Sequence, residues 1–196
     1  MTTSLACIVL AAGSARRFGA DKRQVQNDEG RTLLDLTLAS IPTIFTQRIL
    51  VLHPGDEAIA AVYEAHWQIV YAEFAHHGMG HSIAAAAKHA GDCTAVLIAL
   101  ADMPLVSPTT FMLLAEAARP DRIVVPFFDQ QRGNPVVIGR DFLGELAELK
   151  GDTGARQLMQ QHPEVVVRLQ VSDAGVLRDI DTPAELQSVS GFGKPL

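Results

Sequence analysis

Two cysteines in 196 residues are too few for a disulfide framework, and Cys7 and Cys93 form no Cys-x-x-Cys pair. Both fall in or beside apolar strand-like runs, so they are expected to be reduced, partly buried thiols of a cytosolic protein. Positive charge is also scarce: 16 Lys and Arg stand against 22 Asp and Glu, a formal net charge of −6. That excludes a protein that coats nucleic acid and a polybasic membrane binder, but it leaves room for a small anion in a locally basic loop. No window approaches the roughly 18 apolar residues of a membrane span. The N-terminal apolar run, Leu5 to Leu10, has no basic segment ahead of it, so no secretory leader is expected and the localisation is cytoplasmic. Repeats, low-complexity segments and linkers are missing too. With 48% hydrophobic and 19% charged residues, global disorder is excluded, and the length suits one α/β domain over 1–196, with 191–196 as a frayed tail.

What is present alternates. Leu5–Leu10 reads as a buried strand that stops at Ala11-Ala12-Gly13. Thr32, with Asp35 three residues on, opens a helix carrying Leu33, Leu34, Leu36, Leu38 and Ile41. Strands are expected over 48–53, 67–72 and 94–100, with a helix over 57–66 between the first two and another over 82–89 before the third. Residues 75–82, with Gly78, Gly80 and three histidines, read as a loop. Ser107 and Pro108 suit the N-cap and first position of a helix that buries Phe111, Leu113, Leu114 and Ala117. Beyond residue 119 the pattern is richer in strand: 122–128, a turn at 129–133, a return strand 134–138, helices over 142–149 and 151–161, a strand 164–171 and a helix 184–189. The fold class expected is α/β, a three-layer, Rossmann-like, mostly parallel mixed sheet.

Several stretches can carry chemistry. After Gly13 come Ser14, Arg16, Arg17, Gly19 and Lys22, small residues and cations at the C-terminal end of a strand, where open α/β sheets bind ligands. The spacing is neither G-x-x-x-x-G-K-[ST] nor G-x-G-x-x-G, so the choice is between a different triphosphate loop and a βα turn with solvated basic residues. Asp102 follows the most apolar strand, at the same sheet edge; it is a ligand for a hard cation or the cap of a turn before Pro104. Asp179 and Asp181 alternate, so an extended segment points both to one face; Asp181 can equally cap the helix ahead of Pro183. His76, His77 and His81 invite zinc, but the spacing lacks other ligands, and a glycine loop entering a helix is the plainer reading. Arg132-Gly-Asn-Pro135 and Lys150-Gly-Asp-Thr-Gly-Ala-Arg156 are shaped loops.

Together these blocks resemble the molybdenum cofactor cytidylyltransferases, a group of small nucleotidyltransferases, over about residues 5–190. Leu10-Ala-Ala-Gly-x-x-x-Arg17-x-Gly19-x-x-Lys22 is similar to the signature of nucleotide-diphospho-sugar transferase-like folds. Gly78-Met-Gly-x-Ser82, Ala101-Asp-Met-Pro104, Gly133-Asn-Pro-Val136, Gly151-Asp-x-Gly-Ala-Arg156 and Asp179-Ile-Asp-Thr-Pro183 follow in the family's order. The chain departs at Phe18, where methionine is usual, and at Arg23-Gln-Val-Gln, where a more apolar run is common. The resemblance implies transfer of a nucleoside monophosphate from an NTP to the phosphate of a molybdopterin-type cofactor, with release of pyrophosphate. Ala12, in place of the glycine of guanylyltransferases, and Asp179 and Asp181, in place of their asparagines, favour CTP. It implies Mg²⁺ held by Asp102 and Asp181, with Asp179 the weaker candidate, and Arg17, Lys22 and Asp102 as catalytic residues. Leu10, Ala11, Ala12, Gly13, Ser14, Arg17, Lys22, Gly78, Gly80 and Ser82 would bind the nucleotide, and Asn134 and Arg156 the acceptor or base. A molybdenum hydroxylase is the implied partner. The competing readings are a GTP-dependent or sugar- or polyol-phosphate nucleotidyltransferase of the same fold, and a non-catalytic chaperone that carries the cofactor.

Overall fold

The structure, a computed structural model, describes residues 4–13 and 21–189. Eight strands form one sheet: β1 (Leu5–Leu10), β2 (Gln47–Leu52), β3 (Gln68–Tyr71), β4 (Ala95–Leu100), β5 (Ile123–Phe128), β6 (Gln131–Arg132), β7 (Val136–Gly139) and β8 (Val166–Gln170). The order is β3-β2-β1-β4-β7-β5-β6, with β8 paired to β5. Strands β3, β2, β1 and β4 run parallel, and β7 enters antiparallel between β4 and β5. The helices are α1 (Leu33–Ser40), α2 (Glu57–Tyr63), α3 (Met79–Ala87), α4 (Pro108–Ala117), α5 (Leu143–Leu146), α6 (Arg156–Gln161) and α7 (Pro183–Gln187). The mixed, mostly parallel architecture is the one expected from the alternation.

Alternate residues of β1 enter different cores, as a pleat requires. Cys7 and Val9 pack with Leu34 and Leu38 of α1, Ile59 of α2, and Phe111 and Leu114 of α4. Ala6 and Ile8 pack with Ile83 and Ala86 of α3, Leu146 of α5 and Leu158 of α6. The sheet is therefore covered on both faces. Cys7 and Cys93 are fully rather than partly buried, and burial pushes the Cys7 thiol up to about 12, which makes it an inert core side chain.

Local signals set several helix starts. The Thr32 hydroxyl accepts from the Asp35 amide and the Asp35 carboxylate accepts from the Thr32 amide, a capping box. Ser107 caps α4 with Pro108 at its first position. Three expectations fail. Helix α3 begins at Met79, so Gly80, His81 and Ser82 lie inside a helix rather than in a loop. Gly80 is tolerated there because its amide donates to Gly151 O at 2.8 Å and a side chain at Gly80 would meet the Lys150 and Gly151 backbone. Leu113 is exposed, since Phe111 and Leu114 take the face of α4 that meets the sheet. The helix expected from residue 151 starts only at Arg156, because Gly151 and Gly154 both take positive φ.

Arg23, whose side chain is only 12% exposed, ties the ends of two βα turns together. Its guanidinium donates to Ala11 O at 2.7 Å, to both carboxylate oxygens of Asp21 at 2.8 and 2.6 Å, and to both of Asp56 at 2.6 and 2.9 Å. These bonds hold the Asp21 carboxyl below the usual range and the Arg23 guanidinium above it. Removing the cation strands two acids. Because Asp21 is partly exposed, the full cost of breaking a buried pair is discounted, and Arg23→Ala is expected to lose ~2 kcal/mol, read by denaturant unfolding. The wild type should lose stability as pH falls from about 4, the ordinary aspartate value, through the lowered folded value of Asp21. In that window the unfolded chain binds more protons than the folded one. The part of that slope due to Asp21 should be missing from the variant.

Candidate active site

The register of β1 and β4 builds the site. Leu10 pairs with Leu100, so the two strands end side by side, and Ala11–Gly13 leaves next to Ala101–Asp102. The Ala101 amide donates to Leu10 O at 3.2 Å, and the Thr37 hydroxyl donates to Ala101 O at 2.9 Å. Strand β7 runs the other way and pairs Ile98 with Val136. Asn134, two residues ahead of Val136, lines a cavity together with Leu100. The β5–β6 hairpin turns at Asp129 and Gln130, both with positive φ, and delivers Arg132 to the same edge.

The segment after Leu177 closes the site from the chain's far end. The Ile180 amide donates to Asp102 O at 2.8 Å, and the Ile180 side chain is buried with Leu33, Leu36, Leu186 and Val189. Its exposed neighbours, Asp179 and Asp181, are thereby fixed beside Asp102. The cap of α7 is Thr182, in a capping box with Glu185, which leaves the Asp181 carboxylate free of that duty. Among the described residues, Asp102, Asp179 and Asp181 are the one group of three or more acidic, His or Cys side chains whose ligand atoms lie within 4.8 Å of one another. The three histidine rings pack against one another at tilted angles instead: the His76 and His77 rings are 4.0 Å apart and those of His77 and His81 5.7 Å.

Two observations bear on whether this triad suits a divalent cation. Asp102 Oδ1 is buried and has no hydrogen-bond partner among the described residues, and leaving such an acceptor unsatisfied costs about 1–3 kcal/mol. The other carboxylate oxygen takes the Lys22 ammonium at 2.6 Å, and Lys22 also reaches Asp181 Oδ1 at 3.3 Å. Burial alone would favour the neutral amine, but the bonds to Asp102 and Asp181 outweigh it and raise the Lys22 pKa. An orphaned carboxylate oxygen, two further carboxylates and a cation bridging them fit a hard, oxygen-seeking metal.

Cavities flank Asp102. One, of about 360 Å³, is lined by Leu10, Ala12, Gly13, His76, Gly78, Ser82, Leu100, Asp102 and Asp152, together with Ala75 and Met79. Here the Gly13 position is open, with nothing within 4 Å of where a side chain would start. A second, of about 260 Å³, lies on the other side of Leu100, lined by Met103, Gln131, Arg132, Asn134, Val176, Leu177 and Asp179. A smaller pocket joins Ala11 and Gly13 to Lys22, Arg23 and Asp102. Arg156 opens α6, and its charge acts on Arg132. Ser14 and Arg17 lie outside the described residues.

Gly78 seats α3 against the wall of the larger cavity. Its φ is +122°, and a side chain would collide with the Asp152 carboxylate and the Gly151 backbone. Gly78→Ala should cost ~2 kcal/mol of stability from backbone strain and weaken nucleotide binding in that cavity, as calorimetric titration would read. Unchanged melting and affinity would contradict this placement of Gly78.

Of the expected site residues that are described, all but Gly80 and Arg156 line these cavities or belong to the triad, and three more join them. Arg132 stands within the Arg-Gly-Asn-Pro block, where the glycine and asparagine drew the attention. Asp152 lines the first cavity. Arg23 had no sequence signal, since its partner Asp56 is 33 residues away.

A family model described as the MobA-like NTP transferase domain matches residues 7–165. The chain belongs to this family. It is a nucleotidyltransferase of the MobA-like type, and its sheet is that of the nucleotide-diphospho-sugar transferase fold. Purine catabolism protein PucB of Bacillus subtilis is 30% identical over 194 residues, covering 93% of this chain and 94% of that protein. Nicotine blue oxidoreductase of Paenarthrobacter nicotinovorans is 29% identical over 197 residues, covering 94% and 97%. Rv0371c of Mycobacterium tuberculosis H37Rv, solved in complex with manganese, superposes with a TM-score of 0.69 at 28% identity, covering 86% of this chain and 89% of that one. Among the described residues of this MobA-like chain, no helix is long and apolar enough to cross a membrane.

Proposed function

We propose that this chain transfers a nucleoside monophosphate, CMP from CTP by preference, to the phosphate of a molybdopterin-type cofactor, releasing pyrophosphate. The observation that carries the reading is the carboxylate triad with its orphaned Asp102 oxygen, set between two cavities at the switch between β1 and β4. Two substrates that must meet at one phosphorus need two pockets that share a wall, and Leu100 belongs to both.

In this reading the nucleotide lies in the larger cavity, with Ala11 and Ala12 against the base and the Gly13 amide toward the triphosphate. Gly78, Gly80 and Ser82 shape the opposite wall. Asp102 and Asp181, with Asp179 as the further ligand, hold Mg²⁺, which supplies charge neutralisation on the reacting phosphates when bound; the manganese complex of Rv0371c supports a divalent ion here. Lys22 moves from the two aspartates to the leaving pyrophosphate, where Arg17 joins it. Asn134 and Arg156 face the acceptor. Phosphoryl chemistry of this kind needs position and charge more than covalent help. Ala12, Asp179 and Asp181 support CTP over GTP through the family resemblance, and a molybdenum hydroxylase is the enzyme that would receive the product.

The test is pyrophosphate release by the purified protein with CTP and with GTP, each with and without molybdenum cofactor. The expected result is release only with both substrates and faster with CTP. Tight binding of cofactor without release would favour a carrier. Oxidation or reduction of nicotine blue without release would favour the chemistry named for the Paenarthrobacter relative.

A further inference from the structure

The triad gathers negative charge, yet the second cavity beside it carries on its wall an arginine with no carboxylate partner among the described residues. Arg132 lines the second cavity with Gln131 and Asn134. Its charge and that of Arg156 act on each other. Arg168 lies over the ring of Phe127 at 5.0 Å, and Phe127 is the β5 residue paired with Arg132. None of these three arginines has a carboxylate within ion-pair distance among the described residues. The nearest polar partner recorded for Arg132 is Met159 Sδ at 3.9 Å, a weak acceptor. The remaining acid on the cavity wall, Asp179, belongs to the triad.

These three exposed guanidinium groups make no ion pair among the described residues of a chain of net charge −6. Partial burial and the neighbouring Arg156 both disfavour charge on Arg132, and its pKa is lowered accordingly. Guanidinium groups do not lose their protons in proteins, so the repulsion stands until an anion arrives. Arg presents a fork that matches phosphate oxygens two at a time. The main chain next to Arg132 is fixed. The Gly133 amide donates to Pro126 O at 2.9 Å and the Asn134 amide to Val176 O at 2.9 Å, and Gly133 packs against Val176 so closely that a side chain would overlap it.

We infer that Arg132, supported by Arg156, is a subsite for a phosphomonoester dianion in the second cavity. Resting on the nucleotidyl-transfer reading above, this is where the acceptor's phosphate docks, across Leu100 from the nucleotide. Two dianionic partners repel each other as they approach. Charge on the acceptor side lowers that repulsion before any reaction, so the pair acts mainly on acceptor binding. Asp179, on the same wall, would oppose the phosphate unless its charge is taken up by a cation. Binding should therefore tighten when manganese is present.

The experiment uses inorganic phosphate as probe on the full chain, followed by ³¹P line broadening with CMP present to fill the nucleotide cavity, and with and without manganese in a parallel calorimetric titration. Wild type is expected to bind phosphate saturably, not to be displaced by CMP, and to bind it more tightly with the metal. R132Q is expected to weaken phosphate at least tenfold and R156Q severalfold, while CTP affinity stays within twofold of wild type. Arg132 is on an exposed two-residue strand, so R132Q should melt with the wild type. Three results would overturn the subsite: no saturable phosphate binding, displacement by CMP, or an equal loss of CTP affinity in R132Q. Because the readout is binding, a protein that passes it and yet releases no pyrophosphate would sink the proposed reaction and leave the subsite standing.

Discussion

Asp102→Asn is expected to abolish pyrophosphate release, by at least about 10³-fold or ~4 kcal/mol in the transition state, and to melt at or above the wild-type temperature. The two effects have one origin. In the protein without ligand, Asp102 Oδ1 is buried and unpartnered, a desolvated charge-bearing atom that folding gains nothing from. The main-chain oxygen of Asp102, which anchors Ile180, survives the substitution. The amide oxygen of asparagine can still accept from Lys22, at the position where Asp102 Oδ2 now accepts at 2.6 Å. What is lost is the charge that a divalent cation requires. A residue kept at a cost to stability is the expected sign of a site shaped for function. If the variant turned over normally, or lost both stability and activity in proportion, Asp102 would be a structural residue.

Lys22→Ala is expected to lower turnover on the order of 10²-fold, or ~3 kcal/mol, the scale of removing one preorganised charge donor. It should also tighten manganese binding in the absence of nucleotide. The ammonium now lies 2.6 Å from Asp102 and 3.3 Å from Asp181, so an arriving metal must displace it. Its raised pKa keeps it charged at neutral pH, and the competition is therefore permanent. Deleting it frees the carboxylates for the metal while removing the group that would meet the leaving pyrophosphate. Electron paramagnetic resonance of free manganese reads the first effect and steady-state kinetics the second. Weaker metal binding in the variant would mean that Lys22 organises the triad instead of competing for it.

The elements of the first half were legible because their signals are local. Thr32 with Asp35, and Ser107 with Pro108, mark helix starts within four residues. The apolar run ending at Leu100 is buried because it pairs on both sides, with β1 and β7. The site residues were legible by type and by resemblance, since glycines, aspartates and arginines at strand ends are the materials of a phosphate site. Their mutual arrangement was not. The contacts of Lys22 with Asp102 and Asp181 span 80 and 159 residues, and no periodicity encodes them. The early start of helix α3 has no local signal, because glycine disfavours a helix interior, whereas the packing of Gly80 on the 150–151 backbone overrides that propensity. Arg132 and Arg23 show the same limit from the other side. A single arginine in a loop has no direction until the sheet brings its partners, or their absence, to it.

The most direct test is to incubate the protein with CTP, magnesium and molybdenum cofactor, and to measure pyrophosphate and the mass of the cofactor product together. One pyrophosphate is expected for each cofactor that gains a CMP, and none of either when magnesium is chelated. Pyrophosphate without a heavier cofactor, a cofactor modified without pyrophosphate, or equal yields in chelator would contradict it.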